Sequence, residues 1–327
     1  MQLLSLFCGA GGLDLGFHQA GFDIRVAIDV SEAAVMTHRH NFSSTTSLNM
    51  DLLEMGVEGM IKLCQQYFSP KQTIGIIGGP PCQGFSRGNI KSHINDPRNK
   101  LATLYIEFIA ALNKIFDVKF VVFENVMGLK DKKHFPTYQL ITKRLSDNGF
   151  DVFENELNAV DFGVAQERKR VILIAVKQNG YYSDIEIIKN SGEIKTVRDF
   201  ISELPEPSFY RKKIKPEDIV YHPNHWTMVP KSEKFKNPEL LANKTRSFRT
   251  INWDKPSPTI AYGNREIYVH PNKSRRLSIF ESMLLQGFPK DFVLKGTLSQ
   301  QVTQVSNAVP PPMAKQIALS IKKSIRG

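Results

Sequence analysis

Short apolar runs alternate with longer amphipathic segments through the first 176 residues of the chain. Brief apolar runs bounded by turn-forming residues predict buried β-strands, and apolar residues spaced three or four apart predict one face of a helix. The predicted strands are 3–7, 24–28, 73–77, 120–123, 152–157 and 171–176. The predicted helical faces are Leu13, Phe17 and Ala20; Leu101, Leu104, Tyr105, Phe108 and Leu112; and Tyr138, Ile141 and Leu145. This alternation predicts an α/β fold with a mainly parallel, doubly wound sheet.

The pattern changes near residue 177. Residues 178–275 are rich in Pro, Asn, Lys and isolated aromatic residues, and helical spacing returns only at 279–285 and after Pro312. The sequence therefore predicts a first domain over 1–176, a smaller and irregular second domain over 177–290, and a segment over 291–327 that returns to the first domain.

Positive charge is concentrated in the irregular region. The 327 residues include 43 Lys and Arg against 32 Asp and Glu, a net charge of +11. Residues 207–276 hold 15 of the basic and 6 of the acidic residues, so they carry +9, whereas the rest of the chain carries +2. Clustered Lys and Arg neutralise backbone phosphates, which favours a nucleic-acid surface. A solvated loop region is the alternative interpretation.

Composition excludes several classes of protein. No run approaches the roughly 18 apolar residues that a membrane span needs, and residues 1–7 lack the basic start of a signal peptide. The cysteines Cys8, Cys64 and Cys82 form no CxxC pair, which favours a reducing cytoplasm and argues against zinc. His222 and His225 lack further ligands at suitable spacing, so no metal is expected.

A glycine-rich segment, Phe7-Cys8-Gly9-Ala10-Gly11-Gly12, follows the first predicted strand. Glycines at a strand-to-helix turn let a ligand approach the backbone and the N–H groups of the helix. A tight turn without a ligand is the alternative. Asp29 ends the second predicted strand, where a ribose hydroxyl would be bound, and Asp51 could reach an adenine amine. Either carboxylate could instead cap a helix.

The loop 78–86, GGPPCQGFS, follows the strand 73–77 at the carboxyl edge of the predicted sheet, where α/β enzymes bind ligands. Two glycines and two prolines fix this loop and place Cys82 outside the core. Buried cysteines usually behave as small apolar residues. The position of Cys82 instead favours a nucleophile, which requires a thiol of lowered pKa.

Two further motifs place charged side chains next to predicted strands. Glu124 and Asn125 follow the apolar strand 120–123. A partly desolvated carboxylate retains a proton more readily, so Glu124 is a candidate general acid and Asn125 a hydrogen-bonding partner that shapes the site. In the segment 166–170, QERKR, extended geometry places Gln166, Arg168 and Arg170 on one side, where they could bind phosphate or carboxylate. The alternative for Glu124 is a helix N-cap or a surface salt bridge, and the alternative for the segment 166–170 is a basic turn.

In this order, the motifs resemble those of the cytosine-C5 DNA methyltransferase family of bacterial modification systems. The resemblance covers nearly the whole chain, because it continues through 96–101 (DPRNKL), 275–278 (RRLS), 286–289 (QGFP) and 306–310 (SNAVP). The family places its variable target-recognition region between the QERKR segment at 166–170 and the late block that begins at 275–278, which here is about 171–274. Asp29 and Ser306 depart from the family, which usually has Glu and Gly there, and these departures concern cofactor affinity rather than catalysis.

The resemblance implies a Rossmann-like methyltransferase that uses S-adenosyl-L-methionine, releases S-adenosyl-L-homocysteine and acts on duplex DNA. It implies that Cys82 attacks C6 of a flipped cytosine and that Glu124 protonates or hydrogen-bonds its N3. Asn125 would belong to the same catalytic set, and Arg168 would steady the pyrimidine carbonyl and the charge of the intermediate. The implied cofactor-binding residues are Phe7, Gly9, Gly11, Gly12, Asp29, Asp51, Pro80, Leu101 and Asn307.

DNA contacts are expected mainly between residues 220 and 270. The candidate substrate-binding residues are Arg170, Arg246, Arg249 and Arg265, and the group 221–226 offers further polar and planar side chains for base reading. The resemblance also implies a cytoplasmic monomer, with a cognate restriction endonuclease that is not physically bound. Two alternatives stay open: a tRNA methyltransferase, which Gly84-Phe85 disfavours, and a binding protein without activity, which the presence of Cys82 and Glu124 disfavours.

Overall fold

The structure is a computed structural model that describes residues 1–81, 99–178, 185–190, 192–211, 214–237, 248–259 and 268–325. Its strands, in chain order, are β1 (Gln2–Leu6), β2 (Asp23–Asp29), β3 (Thr46–Asn49), β4 (Thr73–Gly78), β5 (Asp117–Val126), β6 (Phe150–Asn158), β7 (Gln166–Glu167), β8 (Lys169–Lys177), β9 (Ser208–Phe209), β10 (Trp226–Thr227) and β11 (Ser257–Pro258). Its α-helices are α1 (Gly12–Gln19), α2 (Glu32–Asn41), α3 (Leu52–Tyr67), α4 (Asn99–Leu112), α5 (Phe135–Asp147), α6 (Val197–Ile201), α7 (Ile279–Leu285), α8 (Leu298–Asn307) and α9 (Pro311–Ser324).

Seven strands form one large sheet in the order β3-β2-β1-β4-β5-β8-β6. The first five of these strands are parallel to one another, and β8 is antiparallel to both β5 and β6. The predicted α/β fold with a mainly parallel, doubly wound sheet is therefore confirmed. The strand order reverses direction at β1, and such a switch point is where open α/β sheets bind ligands, beyond the carboxyl ends of the strands.

The six predicted strands all occur, with ends that differ by a few residues. Five of them are buried and consist of nearly continuous apolar residues, as suits strands that are covered on both faces. The sixth, in β6 at the edge of the sheet, is mostly only partly buried. One face packs against α3, α4 and α5 through side chains that include Met60, Tyr105 and Leu145. On the other face, the ring of Phe17 from α1 stacks on Phe120 of β5.

Contacts divide the chain into two compact units. Unit 1 comprises Met1–Asn158, Lys169–Ile188 and Ala314–Gly327, and unit 2 comprises Ala159–Arg168 and Lys189–Met313. Unit 1 contains the large sheet. Unit 2 contains α6, α7 and α8 with two short parallel pairs, β9 with β10 and β7 with β11. The predicted functional ranges 1–176, 177–290 and 291–327 remain a prediction.

Within unit 1, helix α9 packs closely against α1. A Cβ atom at Gly16 of α1 would lie 2.4 Å from Cβ of Ala314, so only glycine allows this approach. Lys322 of α9 also donates a hydrogen bond to the carbonyl of Ala20 at the end of α1. None of the helices in the described part of the chain combines the length and apolar character that crossing a bilayer requires.

Candidate active site

The glycine-rich segment forms a tight turn between β1 and α1. Phe7, Gly9 and Gly11 have positive φ angles of 56°, 56° and 89°, and the N–H of Gly11 donates to the carbonyl of Cys8 at 2.9 Å. A positive φ at a phenylalanine is rare and costly, so its presence indicates a functional constraint that the sequence did not reveal. A Cβ at Gly9 would meet none of the described atoms within 4 Å, which leaves open space over the turn in this part of the structure.

Asp29 holds this turn from the end of β2. Its Oδ2 accepts a hydrogen bond from the N–H of Gly9 at 2.9 Å, and its Oδ1 accepts one from the N–H of Ser31 at 2.8 Å. Burial raises the pKa of the Asp29 carboxyl, although the N–H groups of Ser31 and Gly9 act in the opposite direction. The structure thus brings Gly9 and Asp29 of the predicted cofactor set into contact.

The remaining predicted cofactor residues occupy varied positions. Gly12 and Pro80 are buried, whereas Leu101 in the first turn of α4 is partly buried. Asp51 caps α3, since its Oδ1 accepts from the N–H of Leu53 at 2.8 Å. Asn307 is an exposed residue of unit 2 at the end of α8. Capping does not exclude contact with a cofactor, so the role of Asp51 remains a prediction.

Glu124 lies at the carboxyl edge of β5 in an ion pair with Arg170. The Nε of Arg170 is 2.9 Å from Oε1 of Glu124, and both side chains are about nine-tenths buried (11% exposed each). The pair forms because β5 and β8 are antiparallel, which places Val126 opposite Arg170 and Glu124 opposite Ile172.

The start of the loop that leads to Cys82 packs against the same strand end. A Cβ at Gly79 would lie 2.7 Å from Oε2 of Glu124, so glycine leaves the space that the carboxylate occupies. Asn125 is buried, its Nδ2 donates to the carbonyl of Pro80 at 3.3 Å, and its Oδ1 accepts from the N–H of Val126 at 2.9 Å. The carboxyl ends of neighbouring strands β4 and β5 thus place Glu124 and Asn125 beside Gly79 and Pro80. Cys82 itself lies outside the described residues.

The other two cysteines are poor nucleophiles. Burial raises the pKa of the Cys8 thiol well above its usual range, and the carboxylates of Asp29 and Asp14 add to this effect. Burial also raises the pKa of Cys64 to about 12. Both thiols are therefore protonated at neutral pH, and neither has the thiolate character that nucleophilic catalysis requires.

Arg168 belongs to unit 2, where it is almost completely buried and donates from Nη2 to the carbonyl of Ser306 at 2.8 Å. The predicted alternation of the QERKR segment is confirmed, because Gln166, Arg168 and Arg170 are buried whereas Glu167 and Lys169 are exposed. Sequence reasoning grouped the three buried side chains as ligand donors. It missed that Arg170 is the partner of Glu124, which depends on the pairing of β5 with β8.

The predicted DNA-contacting residues are only partly described. Arg249 is exposed, with its guanidinium 5.9 Å from the centre of the Tyr268 ring. Arg246 and Arg265 lie outside the described residues. Two cations of unit 2, Lys234 and Arg276, lie 4.7 Å and 5.0 Å from the ring of Phe248. This cluster of cations and aromatic rings falls within the basic region 207–276.

Part of the group 221–226 is buried, contrary to its expected role in base reading. Asn224 and Leu294 exchange two hydrogen bonds, from Nδ2 to O at 2.9 Å and from N to Oδ1 at 2.8 Å. His225 contacts Ser278 Oγ and Pro205 O through its two ring nitrogens. The expectation is wrong for Asn224 and His225, because these polar atoms already have partners inside unit 2. Both ring nitrogens of His225 are engaged in these contacts with Ser278 and Pro205, so they are unsuited to binding a metal.

Comparisons with known proteins cover the whole chain. The family model described as C-5 cytosine-specific DNA methylase matches residues 1–323. The chain is 32% identical to the Type II methyltransferase M.MthTI of Methanothermobacter thermautotrophicus, over 100% of this chain and 98% of the relative. It is 33% identical to the Type II methyltransferase M.FnuDI of Fusobacterium nucleatum, over 99% and 95%. A solved structure described as a prophage-encoded DNA modification methyltransferase from Escherichia coli has a TM-score of 0.78 at 22% identity and full coverage of both chains, which shows a shared fold.

Proposed function

The chain belongs to the C-5 cytosine-specific DNA methylase family, and on this basis we propose that it methylates C5 of one cytosine within a specific duplex DNA sequence through a covalent Cys82–C6 adduct. The observation that carries the proposal is the Glu124 site. A buried carboxylate, oriented by Arg170, packs against Gly79 in the loop that continues to Cys82. We further propose that the enzyme is the modification half of a restriction-modification system, works as a monomer in the cytoplasm and binds no metal.

The turn after β1 fits a cofactor. Its positive-φ backbone and the open space over Gly9 leave room for a ligand. The N-terminus of α1 offers N–H groups to a carboxylate of the ligand, and Asp29 offers an acceptor to a ribose hydroxyl. The proposed cofactor-binding residues are Phe7, Gly9, Gly11, Gly12, Asp29, Asp51, Pro80, Leu101 and Asn307. S-adenosyl-L-methionine, when bound, supplies the methyl group as an electrophile.

The residues of the chain overcome the low nucleophilicity of cytosine C5. The Cys82 thiolate adds to C6, and the electron pair of the 5,6 double bond moves into the ring and makes C5 nucleophilic. Glu124 protonates or hydrogen-bonds N3, where negative charge would otherwise develop. Arg168 steadies the ring carbonyl. After methylation, loss of the C5 proton to a base re-forms the double bond and expels Cys82.

Arg170 has an orienting role in this scheme. Its Nε binds Oε1 of Glu124, which fixes the carboxylate so that Oε2 faces Gly79 and the loop toward Cys82. Asn125, bound to the carbonyl of Pro80, holds the same loop from the other side of the strand end. A cytosine inside a duplex cannot reach this site, so the base must be flipped out, which costs a few kcal/mol. Contacts of Arg246, Arg249 and Arg265 with the DNA would offset this cost.

The proposal is tested with S-adenosyl-L-methionine that carries a labelled methyl group. We expect transfer to duplex DNA, no detectable transfer by Cys82→Ser, and a stable covalent complex when 5-fluorocytosine replaces the target base, because the C5 proton can then no longer leave. Cys64→Ala is the matched control, since that buried thiol on α3 has no role in the scheme.

Transfer by Cys82→Ser at the wild-type rate would contradict the assignment of the nucleophile. Transfer to tRNA but not to duplex DNA would replace the proposed substrate by RNA. Tight binding to DNA without transfer to any sequence would replace the enzyme by a binding protein.

A further inference from the structure

Four polar side chains form a continuous hydrogen-bonded chain in the interior of unit 1, behind the turn 7–12. Ser5 Oγ donates to Asp14 Oδ1 at 2.6 Å, His38 Nε2 lies 2.7 Å from Asp14 Oδ2, and His38 Nδ1 lies 2.8 Å from Ser47 Oγ. Asp14 and His38 are completely buried. The chain, which we call the Asp14–His38 chain, connects β1, α1, α2 and β3.

The Asp14–His38 chain supports the turn from below. The ring of His38 stacks on Phe42, with ring centres 4.2 Å apart and planes inclined by 20°. A Cβ at Gly11 would lie 2.5 Å from Cε2 of Phe42 and 3.0 Å from Cδ2 of His38, so the two rings form a floor in close contact with the turn. The Cys8 thiol lies within 4.8 Å of the facing atoms of both Asp14 and His38.

An interior position of this kind is costly for a carboxylate and an imidazole. Burying a polar pair is often no more stabilising than packing apolar side chains of similar size, so stability alone does not account for the Asp14–His38 chain. Asp14 does lie in the first turn of α1, where negative charge is favourable. The directional hydrogen bonds of the Asp14–His38 chain fix the plane of the His38 ring, which an apolar contact would not do.

We infer that Asp14 and His38 are positioning residues for cofactor binding. They hold the His38 and Phe42 rings flat beneath Gly11 and so preserve the positive-φ shape of the turn. Asp29 holds the same turn from its other side through Gly9. This inference rests on the proposed function only in that the turn 7–12 binds S-adenosyl-L-methionine.

A metal ion is the competing explanation, because Cys8, Asp14 and His38 bring three ligand types together. The 2.7 Å between His38 Nε2 and Asp14 Oδ2 is a direct hydrogen bond. An ion bound to both would stand between them at about 2.0–2.2 Å from each atom and force them apart. The geometry therefore favours the hydrogen bond.

The inference is tested by measuring the Kd for S-adenosyl-L-homocysteine by calorimetry, together with the KM for S-adenosyl-L-methionine and kcat. We expect Asp14→Ala to raise Kd and KM at least about tenfold, while kcat at saturating cofactor changes little. Asp14→Asn should bind nearly as well as the wild type, because its amide can accept from His38 while the Ser5 hydroxyl rotates to accept from the amide NH₂. A merely structural role would not separate KM from kcat in this way.

A double variant guards against simple unfolding. Asp14→Leu with His38→Phe leaves no buried charge without a partner and keeps an aromatic ring under Gly11, so it should fold yet bind the cofactor more weakly. Leu145→Ala, on helix α5, is the control that lowers the Tm without changing Kd, since α5 packs on α4 and β6.

Three results separate the possible failures. If the wild type does not bind S-adenosyl-L-homocysteine, the proposed function fails. If the wild type binds and the folded Asp14→Ala and double variants bind equally well, the inference is overturned. Stoichiometric zinc in the purified protein, lost in Cys8→Ser, would also overturn it and assign the three side chains to a metal site.

Discussion

Gly79 is the residue on which the position of the Glu124 carboxylate depends, because a Cβ would lie 2.7 Å from Oε2. We expect Gly79→Ala to displace the carboxylate from its place beside Arg170 and the loop to Cys82. Since a displacement of about 1 Å can cost roughly 100-fold in rate, kcat should fall by about 10- to 100-fold while KM for the cofactor stays near the wild-type value. Steady-state methyl transfer measures both quantities.

Gly192 offers a matched control for this glycine substitution, because a Cβ there would lie farther than 4 Å from the atoms of the residues that the structure describes. Gly192→Ala should retain the full rate. An unchanged kcat in Gly79→Ala would mean that the carboxylate has room to move without loss of function.

Local sequence was sufficient to find the main charged residues of the site. Glu124 and Asn125 lie at the end of a strand whose preceding residues are strongly apolar, and that boundary indicates side chains at a sheet edge. Local sequence could not find the partner of Glu124, because Arg170 reaches it only through the antiparallel register of β5 and β8. The positive φ of Phe7 and the Asp14–His38 chain were missed for a similar reason, since each depends on residues distant in the sequence.

Among the elements, most of the predicted strands are runs of buried apolar residues, and β6 at one edge of the sheet was predicted as well. β3 (Thr46–Asn49) escaped the six predictions because its sequence TSLN is short and mostly polar, as suits the edge position that it occupies in the sheet. For residues 221–225, just before β10, the sequence instead predicted a base-reading role for side chains of which several are buried. The histidines and aromatic residues of this segment resemble a base-reading surface, yet they pack on α7, where His222 stacks on Phe280 at 4.0 Å.

The packing of this segment makes the stability of unit 2 depend on pH. Burial, together with the positive charge that His225 can carry, lowers the pKa of His222 to about 4. Because the folded state holds this proton less tightly than the unfolded chain does, the protein loses stability as the pH falls from 6.5 toward 4. At full protonation the loss is about 3 kcal/mol. Denaturant unfolding at several pH values should show this loss in the wild type and a smaller one in His222→Phe; parallel curves would contradict the assignment.

For the whole molecule, the concentration of charge in residues 207–276 is the basis of the expected salt dependence. Binding to DNA should weaken linearly in log Kd against log salt concentration, because each neutralised phosphate releases counterions. Arg249 is exposed, so Arg249→Gln should lower the slope by about 1 and weaken binding to all sequences alike if it contacts a phosphate. Fluorescence anisotropy over a salt series measures the slope.

The control for this charge change lies in unit 1. Lys143 is an exposed residue of α5 paired with Asp147, so Lys143→Gln removes the same charge and should leave the slope unchanged. If Lys143→Gln and Arg249→Gln lower the slope equally, the response reflects net charge, and the region 207–276 is not the DNA-binding surface.

For the molecule as a whole, the sequence predicted a domain with a large sheet and an irregular region, but it did not predict which segments pack together. The strand order, with β8 between β5 and β6, and the assignment of Ala159–Arg168 to unit 2 follow from contacts between distant parts of the chain. Residues 159–168 join unit 2 because β7 pairs with β11 and the hydroxyl of Thr259 donates to the carbonyl of Glu167. Apolar spacing within a segment contains no information about such pairings.

The packing of α9 on α1 has a consequence for the order in which the molecule is made. Gly16 lies against Ala314 in the finished protein, so α1, which begins at the turn 7–12, lacks this support until α9 leaves the ribosome. All of Lys189–Met313 is translated in between, which takes on the order of ten seconds at about 5–20 residues per second. A nascent chain therefore holds α1 without its contact to α9 throughout the synthesis of Lys189–Met313.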